Sequence, residues 1–134
     1  MFKKIDHIGV AVKNIKESLH IFKDILGMEF SGEEVVQEQD VKVAFLPVGE
    51  SEIELLESTS PEGNIAKYIE KKGEGIHHIA FEVEDLDAML ENLQKKGVRL
   101  IDKEARYGAG GTRIAFLHPK STNSILVELC ERKS

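Results

Sequence analysis

The residues best suited to chemistry occur twice in this chain, at equivalent places in a repeated sequence. Residues 5–12 (IDHIGVAV) resemble residues 76–83 (IHHIAFEV), so that His7 matches His78 at a spacing of 71 positions, and Glu54 in IEL matches Glu128 in VEL. A single histidine or glutamate on a strand would favour a structural or solvated role. Two equivalent sets favour a metal, because a buried carboxylate is costly unless it is paired or metal-bound. We therefore predict one divalent ion held by His7, Glu54, His78 and Glu128.

Two imidazoles and two carboxylates bring two negative charges to such an ion and leave positions open for water or substrate oxygens. This donor set suits Co²⁺, Mn²⁺, Ni²⁺, Zn²⁺ or Fe²⁺, and the residues alone do not choose among them. The other candidates fit structural roles. His77 points away from His78 along the strand, His20 falls at the surface or rim of a helix, and Cys130 is best explained by packing.

Composition limits the function classes. The chain has 134 residues and a net charge of −6, which disfavours a nucleic-acid partner because such proteins need a basic face. No apolar run approaches the ~20 residues of a membrane span, and no signal peptide is visible at the start, so we expect no membrane partner. Cys130 is the only cysteine. That excludes an internal disulfide and favours a reducing cytoplasm.

Periodicity places the histidines and glutamates on strands. Residues 5–12 alternate as a strand does, Asn14 is a candidate helix cap, and the apolar positions Ile15, Leu19, Phe22 and Leu26 precede a stop at Gly27. Further strands are predicted within 33–48 and 50–56. A connecting helix is expected over about 60–73, with Pro61 at its first position. The second module repeats the order, with a strand at 76–83, a helix capped by Asp85, and strands near 98–104, 112–118 and 124–130.

These elements predict an α+β fold made of two tandem βαβββ modules. Module 1 covers about 4–57, the connecting helix about 60–73, and module 2 about 75–131, all within a single domain of residues 1–134. Neither module has much core of its own. We therefore expect their strands to form one curved mixed sheet around a metal-binding cleft, with the helices outside.

A glycine-rich segment in module 2 is flanked by cations. Residues 108–111 (GAGG) follow no strand-to-helix pattern, which excludes a dinucleotide or P-loop fingerprint and leaves a flexible loop or a backbone contact to an anion. Arg106, Arg113 and Lys120 lie around it. They supply local positive charge that an acidic protein would need for an anionic substrate, although a solvated surface explains them almost equally well.

With these residues in place, the whole chain resembles the vicinal oxygen chelate superfamily, whose paired βαβββ modules hold a metal. Residues 5–12, 38–43, 73–80, 108–111 and 118–121 (HPKS) are similar to the methylmalonyl-CoA epimerases, and the last two segments are the most specific. Glyoxalase I shares the two-histidine, two-glutamate set but typically carries a different turn before its last strand. A non-catalytic binding protein of the same fold is the third alternative, although such binders usually lose metal ligands.

The resemblance implies a proton transfer at the carbon between a carboxylate and a thioester, with a metal chelating both groups and stabilising the enolate. It implies Co²⁺ ahead of the other ions, an acyl-CoA substrate, Lys120 with Arg113 or Arg106 as substrate-binding residues, and a homodimer. The chain departs from some epimerases, which have a glutamate base at the position of Val43 and a glutamine at that of Glu54. Val43 cannot move a proton. Glu128 and Glu54 are therefore the predicted catalytic residues, acting as ligands and proton carriers at once, and the alternative is that a bound water substitutes for one of them.

Overall fold

The fold is known from a computed structural model that describes residues 1–132. Lys133 and Ser134, the last two residues of the predicted domain, lie outside the described residues. The chain divides into two compact units. The first unit is His7–His77, and the second unit combines Met1–Asp6 with the chain from His78 onward.

In the first unit, a helix follows the first strand and three further strands follow the helix. The Asn14 side chain accepts a hydrogen bond from Glu17 N (2.9 Å), which confirms the predicted cap. The elements introduced along this part of the chain are β1 (Phe2–Ala11), α1 (Ile15–Leu19), β2 (Gly32–Val36), β3 (Val41–Val48), β4 (Ser51–Ser58) and α2 (Asn64–Lys72).

The helix after β1 is α-helical only in its first part and continues as a π-helical segment, His20–Ile25. Leu26 N donates to Ile21 O at 2.9 Å, five residues back, so the turn is wider than an α-helical one. The wider turn shifts the apolar face. Leu19 and Phe22 pack against the core, but Leu26, which the helical spacing places on the same face, is 62% exposed.

The strands of the first unit run in the order β2-β3-β4-β1, with β1 parallel to β4 and the other pairs antiparallel. Alternate side chains of a strand point to opposite faces of the sheet. The apolar face of these strands packs under α1. The buried core on this face contains Val12, Ile15, Ala44, Leu46 and Leu55. The opposite face of the same strands carries His7 and Glu54.

The connecting helix α2 begins three residues later than expected. Gly63 N donates to Ser60 O (3.1 Å), so a turn comes first and Pro61 lies in that turn rather than at the first helical position. The predicted end is confirmed. Gly73 follows the helix with φ of 79°, a conformation that glycine adopts without strain.

The second unit repeats the order of elements. Asp85 caps its helix by accepting from Ala88 N (3.1 Å), as predicted. The strands run in the order β5-β8-β7-β6, with β5 parallel to β8. The elements are β5 (Gly75–Val83), α3 (Leu86–Lys95), β6 (Arg106–Tyr107), β7 (Arg113–Leu117) and β8 (Val127–Glu131). The core beneath α3 contains Val83, Leu86, Leu90, Ala115, Leu117 and Leu129.

The strand predicted near 98–104 is wrong. Leu100 forms only an isolated bridge to Leu117, and the regular pairing comes later, at β6. Asp102 explains the difference, because its carboxylate accepts from Phe116 N (2.8 Å) where a strand would offer a backbone carbonyl. The last strand also begins later than expected, at Val127, since Asn123 and Ser124 adopt left-handed conformations.

The α+β class and the doubled βαβββ order are confirmed. Among the helices of residues 1–132, none is long and apolar enough to cross a membrane.

Candidate functional site

The first unit brings His7 and Glu54 together. His7 lies on β1 and Glu54 on β4, the strand that runs parallel beside it. The His7 Nδ1 atom is 3.3 Å from Glu54 Oε2, and the two residues are only 5% and 4% exposed. The predicted histidine and glutamate of module 1 therefore form a buried pair.

The second unit builds the same pair from His78 on β5 and Glu128 on β8. His78 Nε2 is 3.2 Å from Glu128 Oε1, and these residues are 5% and 4% exposed. The His78 ring also meets the edge of the Phe116 ring, with centroids 5.4 Å apart. Hence both halves of the predicted set are formed, each within its own unit.

The register explains why the two pairs match. In the first unit Glu54 lies opposite Gly9 and Phe45, and in the second unit Glu128 lies opposite Ala80 and Phe116. A small residue thus follows each histidine by two positions and faces the glutamate, while an aromatic residue flanks the glutamate on its other side. We call the face that carries the pair in each unit the His–Glu face.

Imidazole nitrogen and carboxylate oxygen are donors that divalent transition metals accept. Each of the four residues belongs to a group of buried histidine and acidic side chains of a kind that could hold a metal ion. The donor chemistry therefore fits the predicted ion.

The two predicted substrate-binding arginines lie on different faces of the second unit. Arg106 pairs with Ile114 across β6 and β7, which places it on the His–Glu face. Its guanidinium lies 5.7 Å from the centroid of Phe116, and its Nε atom is 3.1 Å from Asp102 Oδ1. Arg106 is thus linked through Phe116 to His78.

Arg113 lies on the opposite face, towards α3. It donates to Asp87 and to Glu131, both at 2.8 Å. The hydrogen bond to Asp87 is the main cause that raises the pKa of Arg113 above its ordinary value. Of the two arginines proposed to assist Lys120, the contacts favour Arg106.

Lys120 lies in a single 3₁₀ turn, Pro119–Ser121. The His118 ring caps this turn, since its Nδ1 atom accepts from Lys120 N (3.1 Å). The turn is fixed further by Ser121 Oγ, which accepts from Arg99 N (2.9 Å). The backbone that carries Lys120 is therefore held by side chains on both sides.

The glycine-rich segment is a hydrogen-bonded turn rather than an unstructured loop. Gly108 N donates to Thr112 O (3.0 Å), and Thr112 Oγ1 donates to Ala109 O (2.9 Å). Gly110 and Gly111 have φ angles of 72° and 71°, in a region that only glycine adopts readily. A contact between this turn and an anion stays a prediction.

The remaining candidates take the structural roles expected of them. The His77 ring packs edge-on against Tyr68, with centroids 4.9 Å apart. The His20 side chain is 70% exposed. Cys130 is fully buried, and burial is the main cause that raises the pKa of its thiol.

An ion pair between a buried aspartate and a partly exposed arginine of the second unit is not among the sequence-based predictions. Asp6, whose side chain is 1% exposed, accepts from Arg132 Nε (2.6 Å) and Nη2 (2.9 Å). The sequence does carry a signal for it, because Asp6 occupies an alternation position otherwise taken by Ile8 and Val10. A charged residue there needs a partner. That partner, Arg132, is 126 positions away in the sequence, so no local pattern identifies it.

Comparison with known proteins identifies the family. The model of the glyoxalase/bleomycin resistance protein/dioxygenase superfamily matches residues 6–116. The uncharacterized protein YqjC of Bacillus subtilis is 44% identical over 97% of this chain and 93% of its own. The human mitochondrial methylmalonyl-CoA epimerase is 35% identical over 94% of this chain and 72% of its own.

A solved structure of a methylmalonyl-CoA epimerase, in complex with methylmalonyl-CoA and NH₄⁺, is similar over the full chain. It is 37% identical, with a TM-score of 0.95 and coverage of 100% of this chain and 97% of that one. This chain belongs to the glyoxalase/bleomycin resistance protein/dioxygenase superfamily. Within that superfamily, it is similar over nearly its whole length to methylmalonyl-CoA epimerases.

Proposed function

We propose that this protein is an epimerase that interconverts (R)- and (S)-methylmalonyl-CoA. The observation that carries the proposal is the similarity over nearly the whole chain to proteins named methylmalonyl-CoA epimerase. The buried histidine–glutamate pair, built twice at equivalent register positions, supports a metal site but is a set that glyoxalase I shares. These relatives lend no support to the glyoxalase I alternative.

We propose that His7, Glu54, His78 and Glu128 together hold one divalent ion. Co²⁺ is the first candidate, and Mn²⁺, Ni²⁺, Zn²⁺ and Fe²⁺ suit the same donors. When bound, such an ion acts as a Lewis acid that stabilises negative charge developing on the substrate oxygens. The four residues are buried and in contact as pairs, which limits the orientations that their side chains can adopt.

The chemical work left to the chain is proton transfer. A carboxylate takes the proton from the α-carbon, the electron pair of that C–H bond moves to the thioester carbonyl, and a planar enolate results. A proton returned to the opposite face inverts the centre. Glu128 and Glu54 are the proposed carriers, since their carboxylates belong to the two pairs.

Substrate binding is assigned to Arg106 and Lys120. A protein with a net charge of −6 must gather a CoA thioester with local cations. Arg106 lies on the His–Glu face of its unit, and the Lys120 turn is fixed by His118. Arg113, held by Asp87 and Glu131, has the weaker claim.

We propose a homodimer in the cytoplasm whose partner is a small acyl-CoA and not a nucleic acid or a membrane. The net charge of −6 argues against a nucleic-acid partner, and the single cysteine, Cys130, favours a reducing cytoplasm. The homodimer rests on the family resemblance alone.

The test is solvent exchange during epimerisation. A single epimer of methylmalonyl-CoA in deuterated water should gain deuterium at the α-carbon as it racemises. Glu128→Gln should slow this by about 10²- to 10⁴-fold, because a proton carrier is worth that much. Metal content is measured in the same variant, so that loss of a ligand is separated from loss of a base.

The glutathione hemithioacetal of methylglyoxal is assayed in parallel. Rapid turnover of that compound, with no deuterium in methylmalonyl-CoA, would replace the epimerase proposal by glyoxalase I. Tight binding of a small molecule without turnover of either substrate would favour a binding protein instead.

A further inference from the structure

The Asp6 carboxylate of the second unit is almost completely buried, with its side chain only 1% exposed. The guanidinium of Arg132 forks onto it through Nε (2.6 Å) and Nη2 (2.9 Å). Such a bidentate contact fixes geometry as well as charge. Taking charges out of water costs free energy that their mutual attraction only partly repays, so an ion pair of this kind is weak evidence for stability. The segments that the pair holds together are therefore the more informative feature.

The ion pair lies on the His–Glu face of its unit. Cys130 follows Glu128 by two positions on β8, so both side chains point to the same face of the sheet. The Cys130 thiol donates a hydrogen bond to the Asp6 carboxylate. Ile114 on β7 lies directly opposite Cys130 and shares this face. Asp6 and Arg132 are thus beside the row of side chains next to Glu128, the proposed metal ligand.

The glycine-rich turn (residues 108–111) lies against the same row and the same arginine. A Cβ atom on Gly108 would stand 2.9 Å from Ile114 Cγ2, so the Gly108 backbone packs directly on the Ile114 side chain. A Cβ atom on Gly110 would stand 3.7 Å from Arg132 Nη1. The guanidinium therefore binds Asp6 through two of its nitrogens and places the third against the turn.

The hydrogen bonds inside the turn fix its shape but not its place on the sheet. Gly108 N donates to Thr112 O, and Thr112 Oγ1 donates to Ala109 O, so both bonds join residues of the turn and its immediate neighbour. Glycine backbone loses much conformational freedom when it is ordered. The contacts with Ile114 and Arg132 are the ones that connect the turn to the His–Glu face.

We propose that Arg132 is a positioning residue of the reaction, which holds the glycine-rich turn over the row next to Glu128. The proposal rests on the proposed epimerase function, in which the acyl-CoA binds on the His–Glu face. Two residues along a strand span about 7 Å, so a substrate bound at Glu128 reaches the turn. Asp6 orients the guanidinium, and a shift of the turn weakens the contacts of its backbone with the anionic substrate.

The test compares Arg132→Gln with the parent in two measurements. Exchange of the Gly108 amide with deuterated water, followed by NMR, should accelerate by at least about tenfold, because a lost charge-assisted contact is worth that much. KM for methylmalonyl-CoA should rise by about tenfold while kcat changes little, as expected when binding common to the ground state and the transition state is lost. Arg99, an exposed arginine of the same unit, supplies the matched control, and Arg99→Gln should change neither quantity.

A second variant separates the position of the turn from the stability of the fold. Arg132→Gln alone leaves the Asp6 carboxylate buried without this cation, which destabilises the protein. Adding Asp6→Asn removes the buried charge, so the melting temperature should recover towards the parent value. Gly108 exchange and KM should remain as altered as in Arg132→Gln, because the guanidinium that contacts the turn is still missing. Metal content is followed in each variant, since Asp6 precedes His7.

If Gly108 exchanges at the parent rate in Arg132→Gln, or if KM there equals the parent value, this arginine does not position the turn for the substrate. The proposal fails equally if the double variant recovers KM together with the melting temperature, since Arg132 would then serve stability alone. If the parent itself does not epimerise methylmalonyl-CoA, the proposed function fails, and Gly108 exchange still decides whether Arg132 holds the turn.

Discussion

The two units make the same histidine–glutamate pair out of different surroundings. In both, the glutamate lies between a small residue and a phenylalanine in the strand register. The ring atom that approaches the carboxylate differs, being Nδ1 in His7 and Nε2 in His78. The position of the pair is thus repeated, while the orientation of the imidazole is set by each unit.

The loops between the paired strands differ more. Phe45 and Glu54 are nine positions apart, but Phe116 and Glu128 are twelve apart. The longer connection in the second unit makes room for the 3₁₀ turn that carries Lys120. The repeated parts of the two units thus carry the proposed metal ligands, and the parts that differ carry the groups proposed to meet an asymmetric substrate.

Replacing either histidine should have the largest effect on metal binding and tests whether the two pairs are equivalent. His7→Ala and His78→Ala should each weaken binding of a divalent ion by at least about 100-fold, since even supporting residues around a metal are worth about 10- to 100-fold. Titration with Co²⁺, followed by its absorbance, measures this. His20→Ala is the control, because that side chain is 70% exposed. Unchanged affinity in either of the first two variants would mean that only one unit binds metal.

Variants of Arg106 and Arg113 test which residues outside the two pairs contact the substrate. Arg106→Gln should raise KM for the acyl-CoA roughly tenfold with little change in kcat, as expected for one charge-assisted contact. Arg113→Gln should instead leave KM unchanged and lower the free energy of unfolding by about 0.2–1 kcal/mol, since its ion pairs are partly exposed. If KM in Arg106→Gln were no higher than in Arg113→Gln, Arg106 would not contribute to substrate binding.

Much of this arrangement could be predicted from the sequence, because repetition at fixed spacing shows which strand positions are equivalent. His7, Glu54, His78 and Glu128 are found in this way, and the caps at Asn14 and Asp85 follow local rules. Long-range partners could not be found. The ion pair between Asp6 and Arg132, and the Asp102 carboxylate that interrupts a strand, depend on chain segments that no local pattern connects.

The register of an edge strand is equally hidden in the sequence. Strand β2 has only five residues, so its alternation is too short to show which glutamate shares a face with Glu54. Only pairing with Val43 distinguishes Glu34 from Glu33. The π-helical turn that exposes Leu26 is a similar case, since a single wider turn leaves no signature in apolar spacing.

Titration of the metal-free protein tests most directly whether the two equivalent pairs form one catalytic metal centre. Epimerase activity on methylmalonyl-CoA is measured as Co²⁺ is added in fractions of one equivalent per chain. Activity should be absent without metal, rise linearly as Co²⁺ is added and level off at one equivalent. A plateau at two equivalents, or full activity in the metal-free protein, would contradict it.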